Sequence, residues 1–474
     1  MCGDGNTKKP TTVAAMVTYI YFFLTFPLFS FLCNFSVILG AKSDNHRLLR
    51  VRPLPLPTEA CSSEEYKGRG LKMVHRYGPC SPFDGERVTP IQILQQDESR
   101  VNWLQSQLTH NSSRLDDQDT TLPARPGHSL NTGNYIVTIG FGTPKKDMNI
   151  AFDTGSYLTW IQCQPCAGGC YKQKDPIFNP TESSSYLQLS CDSAECSQLT
   201  LHTNCSSSTC VYMSRYPEHS QSIGFLSRDT LTLSSSDIFP NFLFGCGQQN
   251  SGLFGKTAGL LGLGRDPISL ISQTATKFGL VFSYCLPSSP SSPGYLTFGA
   301  DAIKSGIKFT PLLTKSRGPT FYFLNLIGIS VGGKALPIPA STFSSPGTII
   351  DSGTVISHLP PSAYNVLRSA FQQEMSNYTL VTSRYSLLET CYKLGRAEAP
   401  GVPPIVMHFE GDVDVNFNYS GIIYQKKKTV GCLAFAANKD NFGFTIIGNR
   451  QQLTFDVVYD VAGGRLGFGP GGCR

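Results

Sequence analysis

The chain has 474 residues, with 45 Gly and 31 Pro, only 15 % charged residues and a formal net charge of +6. A coiled coil or helical array would be richer in Ala, Glu, Lys and Leu, and a disordered chain would not carry 40 % apolar residues. The length suits two or more domains, and the Gly, Pro, Ser and Thr that punctuate short apolar runs point to a mainly β protein.

The N-terminus carries a basic pair, Lys8-Lys9, followed by an uncharged run from Pro10 to Ala41. Its apolar heart, Tyr19 to Leu39, is interrupted by Pro27, Cys33 and Asn34. A basic start before an apolar stretch reads as a secretory signal over residues 1–41, with Gly40-Ala41 offering small residues for cleavage. The stretch is long for a signal, so an uncleaved anchor is the competing reading. No later segment is long and apolar enough to cross a bilayer. Secretion is the expected fate, to the extracellular space (the apoplast in a plant), with vacuole and plastid as alternatives.

Residues 42–122 are charged and contain a helical pattern from Ile91 to Leu108, with apolar Ile91, Leu94, Val101, Leu104 and Leu108 at helical spacing. A polar link from His110 to Thr121 follows, containing Asp116-Asp117 and Asp119. This organisation reads as a prosegment and its processing region, with the mature chain beginning near Leu122 or Pro123. From Tyr135 the pattern changes to short strands. Tyr135 to Phe141 is rich in β-formers and ends at the turn Gly142-Thr143-Pro144, and Asn149 to Asp153 is a second short apolar strand. Two helix candidates interrupt the strands, Ser269–Phe278 and, behind Pro360-Pro361-Ser362, Pro361–Met375.

An oxidising compartment makes disulfides the default state of cysteine. Of 16 Cys, Cys2 and Cys33 lie in the signal and Cys61 and Cys80 in the following segment. The other twelve, an even number, run from Cys163 to Cys473. Cys163-x-x-Cys166 with Cys170 has no Cys/His pair following at finger spacing, so no metal is expected. Sequons at Asn111, Asn377 and Asn418 are candidate glycosylation sites; a fourth, Asn204, is disfavoured by Cys205 as its middle residue. From Tyr135 onward 25 basic and 21 acidic residues leave only +4. The single basic run, Lys426-Lys427-Lys428, suits a solvated hairpin tip better than a nucleic-acid site.

The most informative feature is an internal repeat. Ile150-Ala-Phe-Asp153-Thr-Gly-Ser156 reappears 198 residues later as Thr348-Ile-Ile-Asp351-Ser-Gly-Thr354, and each copy is followed by an apolar-apolar-Gly element, Gly259-Leu-Leu-Gly262 and Thr445-Ile-Ile-Gly448. Two lobes are implied, 123–310 and 311–474. An Asp at the end of an apolar strand is costly to bury alone. The cost falls if two such Asp meet and share a proton, because two carboxylates in contact cannot both ionise easily. One can then accept a proton from water while the other donates to a carbonyl oxygen, which is general acid–base attack on an amide without a covalent intermediate. Around them, Thr154 and Ser352 can tie the two loops together, Gly155 and Gly353 let backbone N–H groups approach the carboxylates, and Ser156 and Thr354 can bond the outer carboxylate oxygens.

Asp153-Thr-Gly-Ser156 with Trp160 seven residues on, together with Asp351-Ser-Gly-Thr354, resembles the paired active-site motifs of pepsin-like aspartic proteases. The stretch from Cys163 through Cys166, Cys170, Cys191, Cys196, Cys205 and Cys210 is similar to the plant nepenthesin-type branch. Phe244-Gly-Cys246-Gly, Gly259-Leu-Leu-Gly-Leu-Gly264, Phe282-Ser-Tyr-Cys285 and Val457-Val-Tyr-Asp460 are further matches. Leu122-Pro-Ala, Asn134-Tyr-Ile-Val-Thr and the terminal Gly469-Pro-Gly-Gly-Cys473 resemble the extracellular members related to the chloroplast nucleoid DNA-binding protease.

The resemblance implies a bilobal, mainly β fold with the active site between two related lobes. It implies an endopeptidase with Asp153 and Asp351 as catalytic residues, no cofactor, and a peptide or protein substrate. A monomer without membrane contact after signal cleavage, and without nucleic acid, is expected. It also implies the disulfides Cys163–Cys166, Cys170–Cys246, Cys191–Cys210, Cys196–Cys205, Cys285–Cys473 and Cys391–Cys432, and a flap carrying Tyr216. The flap departs from the family pattern Tyr-Gly-Asp-Gly-Ser, reading Tyr216-Pro217-Glu218-His219-Ser220, so both glycines are gone. Tyr157 stands where Asp or another small polar residue is commoner. The alternative reading is a non-catalytic inhibitor or binding protein on the same scaffold, as in the xylanase inhibitors.

Overall fold

The computed structural model describes residues 70–83, 88–109, 135–197, 199, 202–216, 220–289, 291–316, 318–395, 401–427, 429–471 and 473. The signal over 1–41, the sequon Asn111, the expected mature start near Leu122 and the flap tip Pro217-Glu218-His219 lie outside them.

Strand dominates, and the repeat seen in the sequence is a repeat of topology. In the first lobe, β2 (Tyr135–Phe141) runs antiparallel to β3 (Lys146–Asp153). Gly142, at φ +85°, makes the turn after β2. β3 then pairs in parallel with Gly259–Gly262, placing Gly262 opposite Asp153. In the second lobe, Thr348–Ile350 pairs in parallel with Thr445–Ile447. Each Asp therefore stands at the end of an apolar strand held by a parallel neighbour. Each neighbour ends in a glycine over which the chain after the Asp passes: a Cβ at Gly262 would lie 2.3 Å from the Tyr157 carbonyl oxygen, and one at Gly448 would lie 2.7 Å from the Ile356 carbonyl carbon.

A continuous sheet joins the two lobes. It runs in the order Lys308–Pro311, Arg465–Gly469, Asp456–Asp460, Val281–Cys285, Gly294–Phe298, β1 (Leu71–His75), β2, β3. The boundary expected at 310/311 falls within the strand Lys308–Pro311, whose partner lies near the C-terminus. β1 comes from the expected prosegment, yet it is an interior strand, pairing Leu71 with Leu296 and Met73 with Val137.

The predicted prosegment helix forms as α1, Pro90–Thr109. Thr89 and Gln92 form a capping box: the Thr89 N–H donates to Gln92 Oε1 at 2.8 Å, and the Gln92 N–H donates to Thr89 Oγ1 at 3.4 Å. Pro90 at the first helical position needs no N–H. Leu94 is buried against Val355, Ile356 and Tyr424. Val101, Leu104 and Leu108 are buried against Phe321, Phe323, Ile349, Phe444 and Ile446. Ile91, expected on the same face, is exposed because it sits in the first turn, before the helix reaches the body. Fully burying each Leu or Val side chain is worth about 1.5–3 kcal/mol, so α1 is docked by its apolar stripe. Pro361–Glu374 is helical as predicted, whereas the segment after Ser269 splits into two short helices, Leu270–Gln273 and Ala275–Phe278.

The twelve cysteines from Cys163 onward all pair. Cys285–Cys473 and Cys391–Cys432 agree with expectation. The other four bridges are Cys163–Cys246, Cys166–Cys170, Cys191–Cys205 and Cys196–Cys210, in place of the expected Cys163–Cys166, Cys170–Cys246, Cys191–Cys210 and Cys196–Cys205. The parallel pairing of β4 (Trp160–Gln162) with residues 245–247 carries Cys163 to Cys246, at a Cα separation of 5.4 Å. A tight turn, with Cys166 itself at φ +58°, then brings Cys166 within 5.6 Å of Cys170. Cys205 and Cys210 lie directly opposite on one hairpin, and each takes a separate partner from the segment 191–196.

Asn377 is exposed. Asn418 is not the free amide its sequon suggested. Its Nδ2 donates to Leu453 O and Thr454 Oγ1, and its Oδ1 accepts from Ser420 Oγ and the Gly421 N–H, capping the short helix Tyr419–Ile422. A glycan on Nδ2 would replace one of its two N–H donors and so cost one of the bonds to Leu453 O and Thr454 Oγ1.

Candidate active site

Asp153 and Asp351 face each other, both essentially buried. Each is held in the same way. Asp153 Oδ1 accepts the Gly155 N–H at 2.9 Å and its Oδ2 accepts Ser156 Oγ at 2.7 Å. Asp351 Oδ1 accepts the Gly353 N–H at 3.3 Å and its Oδ2 accepts Thr354 Oγ1 at 2.5 Å. The two loops are tied across the axis: the Thr154 N–H donates to Ser352 Oγ at 3.1 Å, and the Ser352 N–H donates to Thr154 Oγ1 at 2.9 Å. Trp160 Nε1 donates to the Tyr216 hydroxyl at 2.8 Å, and burial pushes that phenol up to about 12. Tyr216 closes the hairpin of Thr209–Arg215 and Gln221–Thr232 through its N–H to Ser220 O, at 2.7 Å. Thus Thr154, Gly155, Ser156, Trp160, Tyr216, Ser352, Gly353 and Thr354 all gather around the two carboxylates or their cover.

One residue at the centre was not anticipated. Arg100 of α1 reaches between the two Asp. Its Nη2 donates to Asp153 Oδ1 at 2.7 Å and to Asp351 Oδ1 at 2.8 Å, and its Nε donates to Asp351 Oδ2 at 2.8 Å. The guanidinium lies close against the two glycines. A Cβ at Gly353 would come within 2.3 Å of Arg100 Cζ, and one at Gly155 within 2.6 Å of Nη2. Burial works against the Arg100 charge, but the attraction of Asp153 and Asp351 outweighs it and holds the group firmly cationic. The two carboxylates are pushed apart. Burial raises Asp153, helped by the charge on Asp351 and only partly offset by Arg100. Burial also works to raise Asp351, but Arg100's charge and hydrogen bonds, with Thr354 and the Gly353 N–H, bring it below the usual carboxylate value. The difference follows the geometry, since Arg100 gives Asp351 two bonds and Asp153 one.

The signal that could have located this contact is in the helical pattern. Positions 94, 97, 101, 104 and 108 form one apolar stripe, and position 97 is an Asp. A charge inside such a stripe needs a polar partner on the docking surface. Asp97 is buried there, with Arg100 one turn later.

Among the described residues, no group of three or more His, Cys, Asp or Glu could hold a metal ion. The chemistry open to this arrangement is that of two carboxylates in unequal protonation states.

Two family models match, one described as xylanase inhibitor N-terminal over residues 135–300 and one described as xylanase inhibitor C-terminal over 321–470. An aspartyl protease family protein of Arabidopsis thaliana is 46 % identical over 91 % of this chain and 94 % of its own. The Arabidopsis aspartyl protease AED1 is 47 % identical over 85 % of this chain and 86 % of its own. Aspartic proteinase nepenthesin-2 of Nepenthes gracilis is 38 % identical over 72 % and 78 %. Among solved structures, the basic 7S globulin from soybean superposes with a TM-score of 0.59 at 24 % identity, covering 71 % of this chain and 93 % of that one.

Proposed function

We propose that this chain, which belongs to the plant pepsin-like aspartyl protease family, is the proform of an acid endopeptidase in which Asp153 and Asp351 activate water and α1 holds the site closed. The observation that carries the reading is the matched cradle of the two carboxylates, near enough for one guanidinium nitrogen to bridge them. Once α1 has left, the dyad shares a proton in place of the Arg100 charge. The ionised carboxylate takes a proton from water as its oxygen attacks the scissile carbonyl carbon, and the protonated one donates to the carbonyl oxygen. The resulting tetrahedral diol collapses, with the proton passing to the amide nitrogen as the C–N bond breaks. Ser156 and Thr354 fix the outer oxygens, the Gly155 and Gly353 N–H groups keep the carboxylates aimed, and the Thr154–Ser352 tie keeps the two lobes in register. Tyr216, braced by Trp160, covers the cleft.

On this reading residues 42–122 are a removable prosegment, the leader over 1–41 directs the chain to the secretory route, and the product is a secreted monomer. Asn377 is the described sequon free to carry a glycan. The test is to express the full chain, acidify it, and follow peptide cleavage and the new N-terminus by mass spectrometry. Pepstatin-sensitive cleavage between about pH 3 and 6, with a new N-terminus near Leu122, is expected. A mature chain that cuts nothing but still binds a protein partner would favour the inhibitor-like alternative.

A further inference from the structure

Asp97 sits one turn before Arg100 on α1, and its carboxylate is received by a distinct group of donors. The Val355 N–H reaches Oδ1 at 2.5 Å, and the Ile356 N–H reaches Oδ2 at 2.8 Å. His358 Nε2 lies 3.7 Å from Oδ2, and the imidazole is only 4 % exposed with no hydrogen bond on that nitrogen. All three groups belong to the segment that directly follows Asp351-Ser-Gly-Thr354, so the cradle adjoins the dyad on the wall of the C-terminal lobe. The next backbone N–H, that of Ser357, is already taken by Gln451 Oε1 at 3.0 Å, which confines the cradle to these groups.

The geometry selects for a carboxylate. Two adjacent backbone N–H groups point at two different oxygens of one group, an anion-binding arrangement. A carboxylate satisfies both and gains charge-assisted bonds. A carboxamide offers one oxygen and would turn its NH2 against the second donor. A main-chain carbonyl has one oxygen and cannot reach both donors and the imidazole at once.

We propose that in the mature enzyme this cradle is a substrate subsite that takes an Asp or Glu side chain, with His358 as its specificity-determining residue, and that Asp97 fills it in the proform in place of the substrate. This rests on the reading of the cleft as that of an endopeptidase and of α1 as its prosegment. The occupant is an acidic side chain of the peptide substrate, placed near the scissile bond by the proximity of Val355 to Asp351.

The test uses acid-processed full-length protein and peptide pairs that differ only in Glu against Gln, or Asp against Asn, at each position flanking the cleaved bond. One position is expected to favour the acid at least tenfold in kcat/KM, chiefly through KM, and His358→Gln is expected to bring that ratio below about threefold whatever its absolute rate. Equal rates for acid and amide at every position would overturn the proposal. Should His358→Gln not fold or process, calorimetric binding of a synthetic peptide of residues 90–109 to the wild-type mature chain gives an independent reading. Asp97→Asn in that peptide is expected to weaken binding at least tenfold, and equal binding would overturn the proposal. Because binding needs no turnover, a mature chain that binds the peptide with this selectivity yet cleaves nothing would fail the endopeptidase reading and leave the subsite standing.

Discussion

Arg100 donates from both Nε and Nη2 to the two oxygens of Asp351, each at 2.8 Å, and the same Nη2 reaches Asp153. This planar fork is a geometry that Lys cannot reproduce. The cation sits where a shared proton would sit in a working dyad, so chemistry and closure exclude one another at the same atoms.

Removing Arg100 should release α1. Breaking a buried ion pair by deleting one partner costs about 3–5 kcal/mol, because the remaining charges are left buried and unpaired. Arg100→Met is therefore expected to raise the open fraction of the proform by roughly a hundredfold or more, and Arg100→Lys by less. Hydrogen exchange of the α1 amides at pH 7 reads this directly. Unchanged protection in Arg100→Met would mean that the apolar stripe alone holds the helix.

Acid should loosen the proform by two routes. Asp351 is depressed in the closed state, so its contribution is present above the ordinary carboxylate value and is lost as pH falls through its lowered one. His75 of β1 is pushed down to about 4, chiefly by burial and then by Arg450 and Arg76. Its Nδ1 accepts the Tyr77 N–H at 3.2 Å, a bond that requires the neutral ring. Here the unfolded chain binds the extra proton first, so strand docking weakens as pH falls from about 6.5 towards 4, by on the order of 2 kcal/mol given the ring's partial exposure. Thermal unfolding of the proform across this range is expected to show falling stability, and His75→Phe is expected to flatten the slope. A wild-type profile flat from pH 7 to 4 would contradict the His75 assignment, since the Asp351 contribution is lost only at lower pH.

The Thr154–Ser352 tie should matter more for turnover than for folding. Ser352→Ala removes the acceptor of a buried N–H, at a cost of about 1–3 kcal/mol. It is expected to lower kcat about tenfold or more, with a smaller change in KM, in acid-processed protein. An unchanged kcat would show that the lobes are aligned by other contacts.

The bridge pattern is open to a direct check. Non-reducing digestion and mass spectrometry should recover Cys163–Cys246, Cys166–Cys170, Cys191–Cys205 and Cys196–Cys210. Recovery of a Cys163–Cys166 peptide would restore the pairing first expected from family resemblance.

Much of this was legible in the chain. The repeat of Asp153 and Asp351, each with its apolar-apolar-Gly companion, reports local strand and turn chemistry that either lobe specifies on its own, and the helix Pro90–Thr109 announces itself by its apolar period. The cysteine pairing was less legible, because it depends on which strands lie parallel, and the distance between Cys163 and Cys246 is set only when the sheet forms. The Arg100 clamp was missed for a related reason. A basic residue on a helix is normally solvated, and nothing in its own neighbourhood says that its apolar face will dock across a cleft holding two carboxylates. The Asp97 charge within that face was the visible clue.

The most direct test of the account is a side-by-side assay of acid-processed wild type, Asp153→Asn and Asp351→Asn on one peptide substrate at about pH 4. The account predicts pepstatin-sensitive cleavage by wild type and a loss of at least a thousandfold in each variant, since neither amide can take a proton from water or share one with its partner. Comparable cleavage by wild type and either variant would contradict it.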